Sequence, residues 1–273
     1  MQKHWQTLHK KRLKQTEQHL HEANQTQDPE AIHAFRVSVK KLRALYQMWG
    51  HVLEGPPIDE ALLLPIDSLY RLSGKVRDVQ ILQGLNRQVA QFHLSPIPEW
   101  DVYLQHREKV AQKRLTKALK AEIWFPRKDI SSAFNQQVSQ ISKRQLKGQL
   151  RRYLSQRVNA LADEIISAPK HRRMHDLRKR VKSLMYGLNM ADKTLPEIRQ
   201  TYHHKALAYS AQTLGIWHDW YVWKDRFVKF SAKQTNISSS RLQEWHVFGL
   251  NQTHSLAEVS NLQLVEWQRA LGI

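Results

Sequence analysis

A segment near the N-terminus returns near the middle of the chain, and this repeat constrains the fold more than any other feature. Residues 33–43 read HAFRVSVKKLR, and residues 175–186 read HDLRKRVKSLMY. The two segments begin 142 residues apart in a chain of 273 residues, which is close to half its length. A repeat at that distance predicts two similar halves rather than a solenoid of many short units.

The spacing of apolar residues predicts a chain made of helices. Apolar residues recur at three- and four-residue steps, Gly and Pro number only nine each, and no strand pattern is visible. Asp28-Pro29-Glu30 is typical of a helix start, because Asp caps the helix and Pro fits its first position. The predicted regions cover residues 3–23, 29 to about 55, 59–93 with a bend at Ser73-Gly74, 99–123, 131–167, a region that holds His175 and runs to Ala191, 196–230, and 241–271 with a break near Thr253.

The order of helices repeats together with the motif. Four helical regions fall in each half, and the fourth region begins at Glu99 in one half and at Arg241 in the other, again 142 residues apart. We therefore expect an all-α fold of two antiparallel four-helix bundles, related by internal duplication and packed as one unit.

Each copy of the motif carries two stripes when it is drawn as a helix. The apolar stripe of the first copy consists of Ile32, Phe35, Val39, Leu42 and Tyr46, and that of the second consists of Met174, Leu177, Val181, Leu184 and Leu188. The basic stripe consists of His33, Arg36, Lys40 and Arg43 in the first copy and of His175, Arg178 and Lys182 in the second, where Met185 stands at the position of Arg43. Cations this close on a helix repel each other, so the repeated stripe predicts an anionic ligand, with a solvated helix face as the alternative.

A shorter pair of elements follows each stripe. Gly74-Lys75-Val76-Arg77-Asp78 lies after the first copy, and Gly215-Ile216-Trp217-His218-Asp219 lies after the second. Arg77 and His218 are candidate ligand contacts. The two aspartates are better explained by structural ion pairs.

The charge balance agrees with an anionic partner. Lys and Arg number 43 against 24 Asp and Glu, a net charge of +19, and a compact state of that charge favours a compensating anion. Two further lysine-rich helix faces, at residues 109–120 and 143–151, are interpreted as solvated surface that widens the basic area. A generally basic surface, nucleic acid, an anionic membrane and inorganic polyanions remain open on the charge alone.

The two pairs of motifs together resemble the CHAD family, the conserved histidine α-helical domain. The family's first signature matches His33, Arg36, Lys40, Lys41, Leu42 and Arg43, and its second resembles His175, Arg178, Lys182, Leu184 and Tyr186. The second copy departs from the family pattern at Ser183 and Met185, where basic residues are usual. The Gly-x-x-Arg-Asp element matches Gly74, Arg77 and Asp78, and its counterpart matches Gly215 and Asp219, with His218 where Asn is common.

The resemblance implies one CHAD domain over residues 1–273, with halves at about 1–127 and 128–273. It also implies non-catalytic binding of inorganic polyphosphate in a basic groove or pore between the two bundles. The ligands implied are His33, Arg36, Lys40, Lys41, Arg43, Arg77, His175, Arg178, Lys179, Lys182 and His218. Because polyphosphate has no bases, its recognition comes from charge and N–H donors. Protonation of His33 and His175 is expected to tighten binding as pH falls through about 6.5.

Two alternatives remain. The charge and nine tryptophans allow a nucleic-acid backbone binder, although no recognised nucleic-acid motif occurs. An enzyme of phosphate chemistry that uses a phosphohistidine is less favoured, because acidic metal ligands and a GxxxxGK[ST] loop are missing. No metal or cofactor is expected. The chain has no cysteine, no apolar run of about 20 residues and no signal-peptide core, which favours the cytoplasm. The resemblance to the CHAD family adds an expected association with polyphosphate granules.

Overall fold

The fold is all-α, as predicted. The computed structural model describes residues 1–55, 63–92, 94–120, 127–166 and 171–272, and within these ranges there is no β-strand. The α-helices of these ranges are α1 Gln2–Thr26, α2 Pro29–Val52, α3 Leu64–Val89, α4 Pro98–Lys120, α5 Arg127–Gln140, α6 Lys143–Ile166, α7 His171–Ala191, α8 Ile198–Thr201, α9 His204–Ser231 and α10 Ser239–Ala270. The predicted boundaries at Pro56, Asp59, Ile123 and Ser167 lie outside the described residues.

Helix α2, which carries the first motif, begins where its sequence predicts. Asp28 is the N-cap, and its Oδ2 accepts hydrogen bonds from the backbone N–H groups of Glu30 at 2.9 Å and Ala31 at 3.2 Å. Pro29 occupies the first helical position, where its missing N–H costs nothing. These local interactions fix the register of the helix, and therefore the face on which its cations lie.

The expectation of one helix over residues 131–167 is wrong, because the chain breaks it after Gln140. Ser142 and Gln145 form a reciprocal capping box at the start of α6. The Gln145 N–H donates to Ser142 Oγ at 3.3 Å, and the Ser142 N–H donates to Gln145 Oε1 at 3.1 Å. This Ser-x-x-Gln pattern satisfies two N–H groups that a helix start leaves open, so a new helix begins here and α5 becomes a separate element.

Two other expectations also differ. The region expected over 196–230 divides into α8 and α9, because His203 takes a left-handed conformation with φ of 46° between them. Helix α10 runs through Thr253 without a break, and the Thr253 hydroxyl donates within its own helix, at 2.8 Å to the carbonyl of Leu250. Helix α3 is continuous through Ser73 and Gly74, and the bend expected there stays a prediction.

The chain divides into two compact units. Unit 1 comprises Met1–Arg77, Ala111–Asn159 and Ser183–Tyr202, and unit 2 comprises Asp78–Val110, Ala160–Lys182 and His203–Ile273. Each unit therefore contains segments from both sequence halves. The duplication, and the boundary expected near residue 127, stay predictions.

Each unit has an apolar core to which several helices contribute. One core of unit 1 joins Leu20 of α1, Phe35 of α2, Ile66 of α3 and Leu115 of α4. The core of unit 2 joins the C-terminal part of α3, the N-terminal part of α4, α9 and α10, and it is rich in aromatic rings: Trp100, Trp220, Trp223, Phe227, Phe230 and Trp245. These cores hold α2 within unit 1 and α9 within unit 2 as fixed supports for their polar side chains.

Candidate functional site

The apolar stripes of both motif copies are buried, and this places the cations at the edge of the buried faces. All ten apolar residues predicted from the two copies are buried: Ile32, Phe35, Val39, Leu42, Tyr46, Met174, Leu177, Val181, Leu184 and Leu188. The cations beside them are partly buried, except for His33, which is exposed. We call His33, Arg36, Lys40 and Arg43 the first cation row, which lies in unit 1, and His175, Arg178 and Lys182 the second cation row, which lies in unit 2.

Arg36 is the most firmly held member of the first cation row. Its Nη1 donates to the backbone carbonyl of Tyr70 at 2.6 Å, and it lies 3.5 Å from Ser73 Oγ. Its Cζ lies 4.5 Å from the centroid of the Tyr70 ring, within cation–π distance. A guanidinium has five N–H donors, and among the described residues these hydrogen bonds involve only Nη1. The side chain is therefore held in place while donors remain for an anion.

Gly74 makes room for the Arg36 guanidinium. A Cβ added at Gly74 would lie 2.7 Å from Arg36 Nη1, closer than real Cβ atoms come to a neighbour, and 3.2 Å from its Cζ, which is a tight contact. Glycine in the interior of α3 costs helix stability relative to alanine. Glycine at position 74 therefore allows the Arg36 guanidinium to lie where it does without being displaced.

Arg43 has a carboxylate partner of its own. Its Nε and Nη2 both donate to Asp67 Oδ1, at 3.1 Å and 2.5 Å, and its Cζ lies 4.2 Å from the centroid of the Tyr70 ring. Tyr70 therefore contacts both Arg36 and Arg43. An anion that binds Arg43 has to compete with Asp67, and because both side chains are more than a third exposed this ion pair is a weak competitor.

His33 and Arg77 form a second group of cations in unit 1. Arg77 Nη1 lies 3.9 Å from Glu30 Oε1, a loose ion pair whose carboxylate is largely exposed. Burial lowers the pKa of His33, and Arg77, Lys40 and Arg36 lower it further, while Glu30 opposes them. Arg36, Lys40 and Arg77 therefore lie near enough to His33 to disfavour its charged form.

Lys41 points away from this group. It lies about 140° around the helix from Arg36 at 100° per residue. Burial lowers the pKa of Lys41, and the nearby Arg12 of α1 lowers it further. Lys41 therefore belongs to the surface shared by α1 and α2, and its role as a ligand stays a prediction.

In unit 2, the cation nearest to Gly215 is Lys182, the counterpart of Lys40, whereas Arg36 lies against Gly74 in unit 1. A Cβ added at Gly215 would lie 3.7 Å from Lys182 Nζ, which is an ordinary contact distance. Burial lowers the pKa of Lys182, Arg178 lowers it further, and Asp219 opposes them. This agrees with the structural role expected for Asp219, since its carboxylate favours the charged form of Lys182.

His175 and His218 contact each other through their rings. The two Nδ1 atoms lie 3.2 Å apart, within hydrogen-bond distance, and the ring centroids are 4.8 Å apart. Lys179, next to this pair, has an exposed ion pair with Asp176 at 3.2 Å. Burial lowers the pKa of His175, with Lys179 and Arg178 adding to the effect. The two histidines predicted for the second half thus form one group.

The lowered pKa values of His33 and His175 change the expected pH dependence. Both histidines begin to protonate below their usual pKa of 6.5, because burial and neighbouring cations disfavour the charged form. Any tightening of anion binding through these two residues therefore starts at a lower pH than the sequence alone suggests.

Asp67 and Tyr70 contact the first cation row but were not among the residues predicted from the sequence. Asp67, Tyr70 and Gly74 recur at steps of three and four residues, so they share one face of α3, and that spacing could have revealed them. At the equivalent spacing before Gly215, α9 carries Ala208 and Ala211. The second copy therefore lacks counterparts of Asp67 and Tyr70. It also lacks the arginine that they hold, because Met185 stands at the position of Arg43.

Two further structural features bear on the site. Among the described residues, no group of three or more His, Asp or Glu side chains is arranged to hold a metal ion. A search of the same residues finds no helix with the length and apolar character needed to cross a membrane.

Comparison with known proteins identifies the family and the fold. A family model of the CHAD domain matches residues 7–228, which is most of the chain. The chain belongs to the CHAD family. The crystal structure of the CHAD domain from the plant Ricinus communis shares the fold, with a TM-score of 0.71 over 97% of this chain and 91% of that one, at 17% sequence identity. No curated protein matches the chain.

Proposed function

We propose that this CHAD domain binds inorganic polyphosphate and catalyses no reaction on it. The observation that carries the proposal is the way Arg36 is held. Its guanidinium is fixed by the Tyr70 carbonyl, the Tyr70 ring and the close approach of Gly74, and it lies among further cations. Side chains fixed in advance lose little freedom when an anion binds, so their donors contribute more to affinity.

The chemistry of the two rows suits a polyphosphate chain. Such a chain carries about one negative charge per phosphate and has only oxygen acceptors, so forked arginine donors and lysine point charges are the groups that recognise it. The proposed ligands are His33, Arg36, Lys40, Arg43 and Arg77 in unit 1 and His175, Arg178, Lys179, Lys182 and His218 in unit 2, together with Lys41. Cytoplasmic polyphosphate granules are the location that this proposal implies.

The tryptophans favour polyphosphate over nucleic acid as the ligand. Eight of the nine tryptophans lie in the described residues, and all eight are buried. Buried indoles cannot stack on bases, and such stacking supplies much of the affinity of single-strand binders. RNA at equal phosphate concentration is therefore expected to displace polyphosphate poorly.

Binding of long-chain polyphosphate to a triple variant tests the proposal. Arg36→Ala, Arg178→Ala and Lys182→Ala together remove three held cations, and we expect the dissociation constant to rise by at least about 100-fold, since each charged hydrogen bond contributes about 1.5–3 kcal/mol. The measurement is titration calorimetry at fixed salt, with circular dichroism to verify the fold.

The matched control removes the same charge elsewhere. Lys109, Lys113 and Lys117 are exposed on α4 at steps of four residues, and their triple change to alanine lowers the net charge by the same three units. A loss of similar size in both triple variants would mean that only net charge matters, and unchanged affinity in the first would remove the two rows as the site.

A further inference from the structure

A second basic site lies in unit 1, outside the cation rows. A cavity of about 360 Å³ opens between α1 and α5 and is lined by Lys10, Leu13, Lys14, Arg127, Lys128 and Ser131. None of these residues belongs to either motif copy. Leu13 is buried and forms an apolar part of the wall, while the four cations are exposed at its edge.

Among the described residues, the acids around this cavity do not balance its charge. Glu17, one turn beyond Lys14 on α1, pairs with Arg127 at 2.6 Å. Asp129 lies about 200° around α5 from Arg127, away from the side on which Ser131 lies. In this part of the chain four cations therefore accompany one carboxylate, and such an excess has no stabilising role within the helices.

The positions of these cations are set by two helix faces. Lys10 and Lys14 lie on successive turns of α1, and Arg127 and Lys128 occupy the first turn of α5. The start of a helix carries a partial positive charge, which adds to that of the side chains. Ser131, one turn later, supplies a hydroxyl that can donate to an anion.

We propose that this cavity binds a short run of linked phosphates. Its volume is at the lower end of the range for small-molecule sites, and a ligand that matches the four cations of its lining needs several negative charges within that volume, which linked phosphates provide. The ligand is either a free oligophosphate or a segment of a longer polyphosphate chain. The site goes beyond the proposed function, because it shares no residue with the cation rows.

Tripolyphosphate is the probe, and lysine reactivity is the site-resolved readout. The full chain is treated with an acetylating reagent with and without tripolyphosphate, and the modification of each lysine is measured by mass spectrometry. We expect Lys10, Lys14 and Lys128 to react at least about threefold more slowly with the ligand, and Lys113 and Lys117, exposed on α4, to be unaffected. Equal protection of all five lysines would overturn the proposal, and so would the absence of protection with both tripolyphosphate and long-chain polyphosphate.

Two double variants, both at residues outside the cation rows, test this cavity separately from the rows. Lys10→Gln with Lys14→Gln should remove the protection of Lys128, whereas Lys113→Gln with Lys117→Gln, which changes the charge equally, should leave it intact. Protection of Lys128 that survives the first pair would also overturn the site. Because the change of Arg36, Arg178 and Lys182 to alanine leaves this cavity intact, failure here and failure of the proposed function are separate results.

A second arm identifies the source of the phosphates. If tripolyphosphate protects Lys10 in the wild type, the site accepts a free oligophosphate. If only long-chain polyphosphate protects it, and the Lys10 and Lys14 pair of variants removes that protection, the site is a contact for a segment of a long chain. Either result supports a phosphate site between α1 and α5.

Discussion

At the scale of single residues, two glycines at equivalent places in the two motif copies meet their cations at different distances. A Cβ at Gly74 would come within 2.7 Å of Arg36, whereas a Cβ at Gly215 would remain 3.7 Å from Lys182. The first glycine is required by a close approach, and the second is not. Since both lie inside helices, alanine at either position would gain about 0.5–1 kcal/mol of helix propensity.

We therefore expect Gly74→Ala and Gly215→Ala to have different effects. Gly215→Ala should raise the melting temperature and leave polyphosphate affinity within about twofold. Gly74→Ala should displace the Arg36 guanidinium from Tyr70 and weaken binding by about three- to tenfold, since one charged hydrogen bond is disturbed. Thermal unfolding and calorimetry of both variants test this, and equal affinities would show that Gly74 does not position Arg36.

His9 makes stability depend on pH. It is fully buried, stacks on Phe134 with ring centroids 3.9 Å apart, and its Nε2 lies 3.0 Å from Tyr46 Oη. Burial lowers the pKa of His9 to about 3. The unfolded chain takes up a proton at this histidine near pH 6.5, while the folded chain does not do so until about pH 3. The stability contributed by neutral His9 is therefore complete above pH 6.5 and falls as the pH decreases towards 3.

The corresponding prediction compares wild type with His9→Gln, whose amide can still reach Tyr46. Between pH 7 and pH 4 the free energy of unfolding of the wild type should fall by about 3 kcal/mol more than that of the variant. Denaturant titrations at several pH values measure this. His106→Gln, a change at an exposed histidine of α4, is the control and should follow the wild type. Parallel curves for wild type and His9→Gln would contradict the assignment.

At the scale of helices, the start of α6 shows how local chemistry overrides periodicity. The apolar pattern continues across residues 140–143, and on that basis one long helix was expected. The Ser142 and Gln145 side chains instead exchange hydrogen bonds with the backbone, and two helices result. The Ser-x-x-Gln signal was present in the sequence, but it becomes decisive only when the preceding helix can pack elsewhere, as α5 does against α1.

Removing this cap should destabilise the chain measurably. Ser142→Ala is expected to lower the free energy of unfolding by about 1 kcal/mol, because an N–H group at the start of α6 loses its acceptor. Gln145→Ala should cost less, and the double variant should cost less than the sum, because the two side chains act together. Chemical denaturation measures all three. Strict additivity would show that Ser142 and Gln145 act independently.

Other elements differ in how far the sequence could predict them. The start of helix α2 could be predicted to the residue, since Asp28 and Pro29 are start signals that need no tertiary context. The break before α9 could not, because nothing in the local pattern requires His203 to adopt a positive φ. The cation rows were predictable from spacing alone. Spacing also places Asp67 and Tyr70 on the Gly74 face of α3, but which cations they contact depends on how α3 packs against α2.

At the scale of the whole molecule, the net charge of +19 favours an anionic partner, and the number of cations that contact that partner sets how binding responds to salt. Every cation that meets a phosphate releases counterions, so affinity falls as a power of the salt concentration. The composition could predict this behaviour and the family motifs could predict the fold. The assignment of each cation row to its own unit needed the structure, because each unit combines segments distant in sequence.

The salt dependence should report how many cations take part. If single-stranded nucleic acid is a guide, the slope of log K against log salt concentration changes by about 0.7 for each phosphate contact. Replacing Arg36, Arg178 and Lys182 with alanine should therefore reduce the slope by about 2. The alanine triple variant at Lys109, Lys113 and Lys117 should leave the slope nearly unchanged. Equal slopes in wild type and both triple variants would show that none of these cations meets a phosphate.

The contact between the Nδ1 atoms of His175 and His218 has a consequence for proton balance. A hydrogen bond between two ring nitrogens needs one proton, so one ring donates from Nδ1. While that ring is neutral, its own Nε2 carries no proton. A single added proton fills that Nε2 and keeps the bond, whereas a second proton breaks it. With one added proton, the two Nε2 atoms of the pair thus change from one donor and one acceptor to two donors. A phosphate chain that binds there would be taken up together with one proton rather than two.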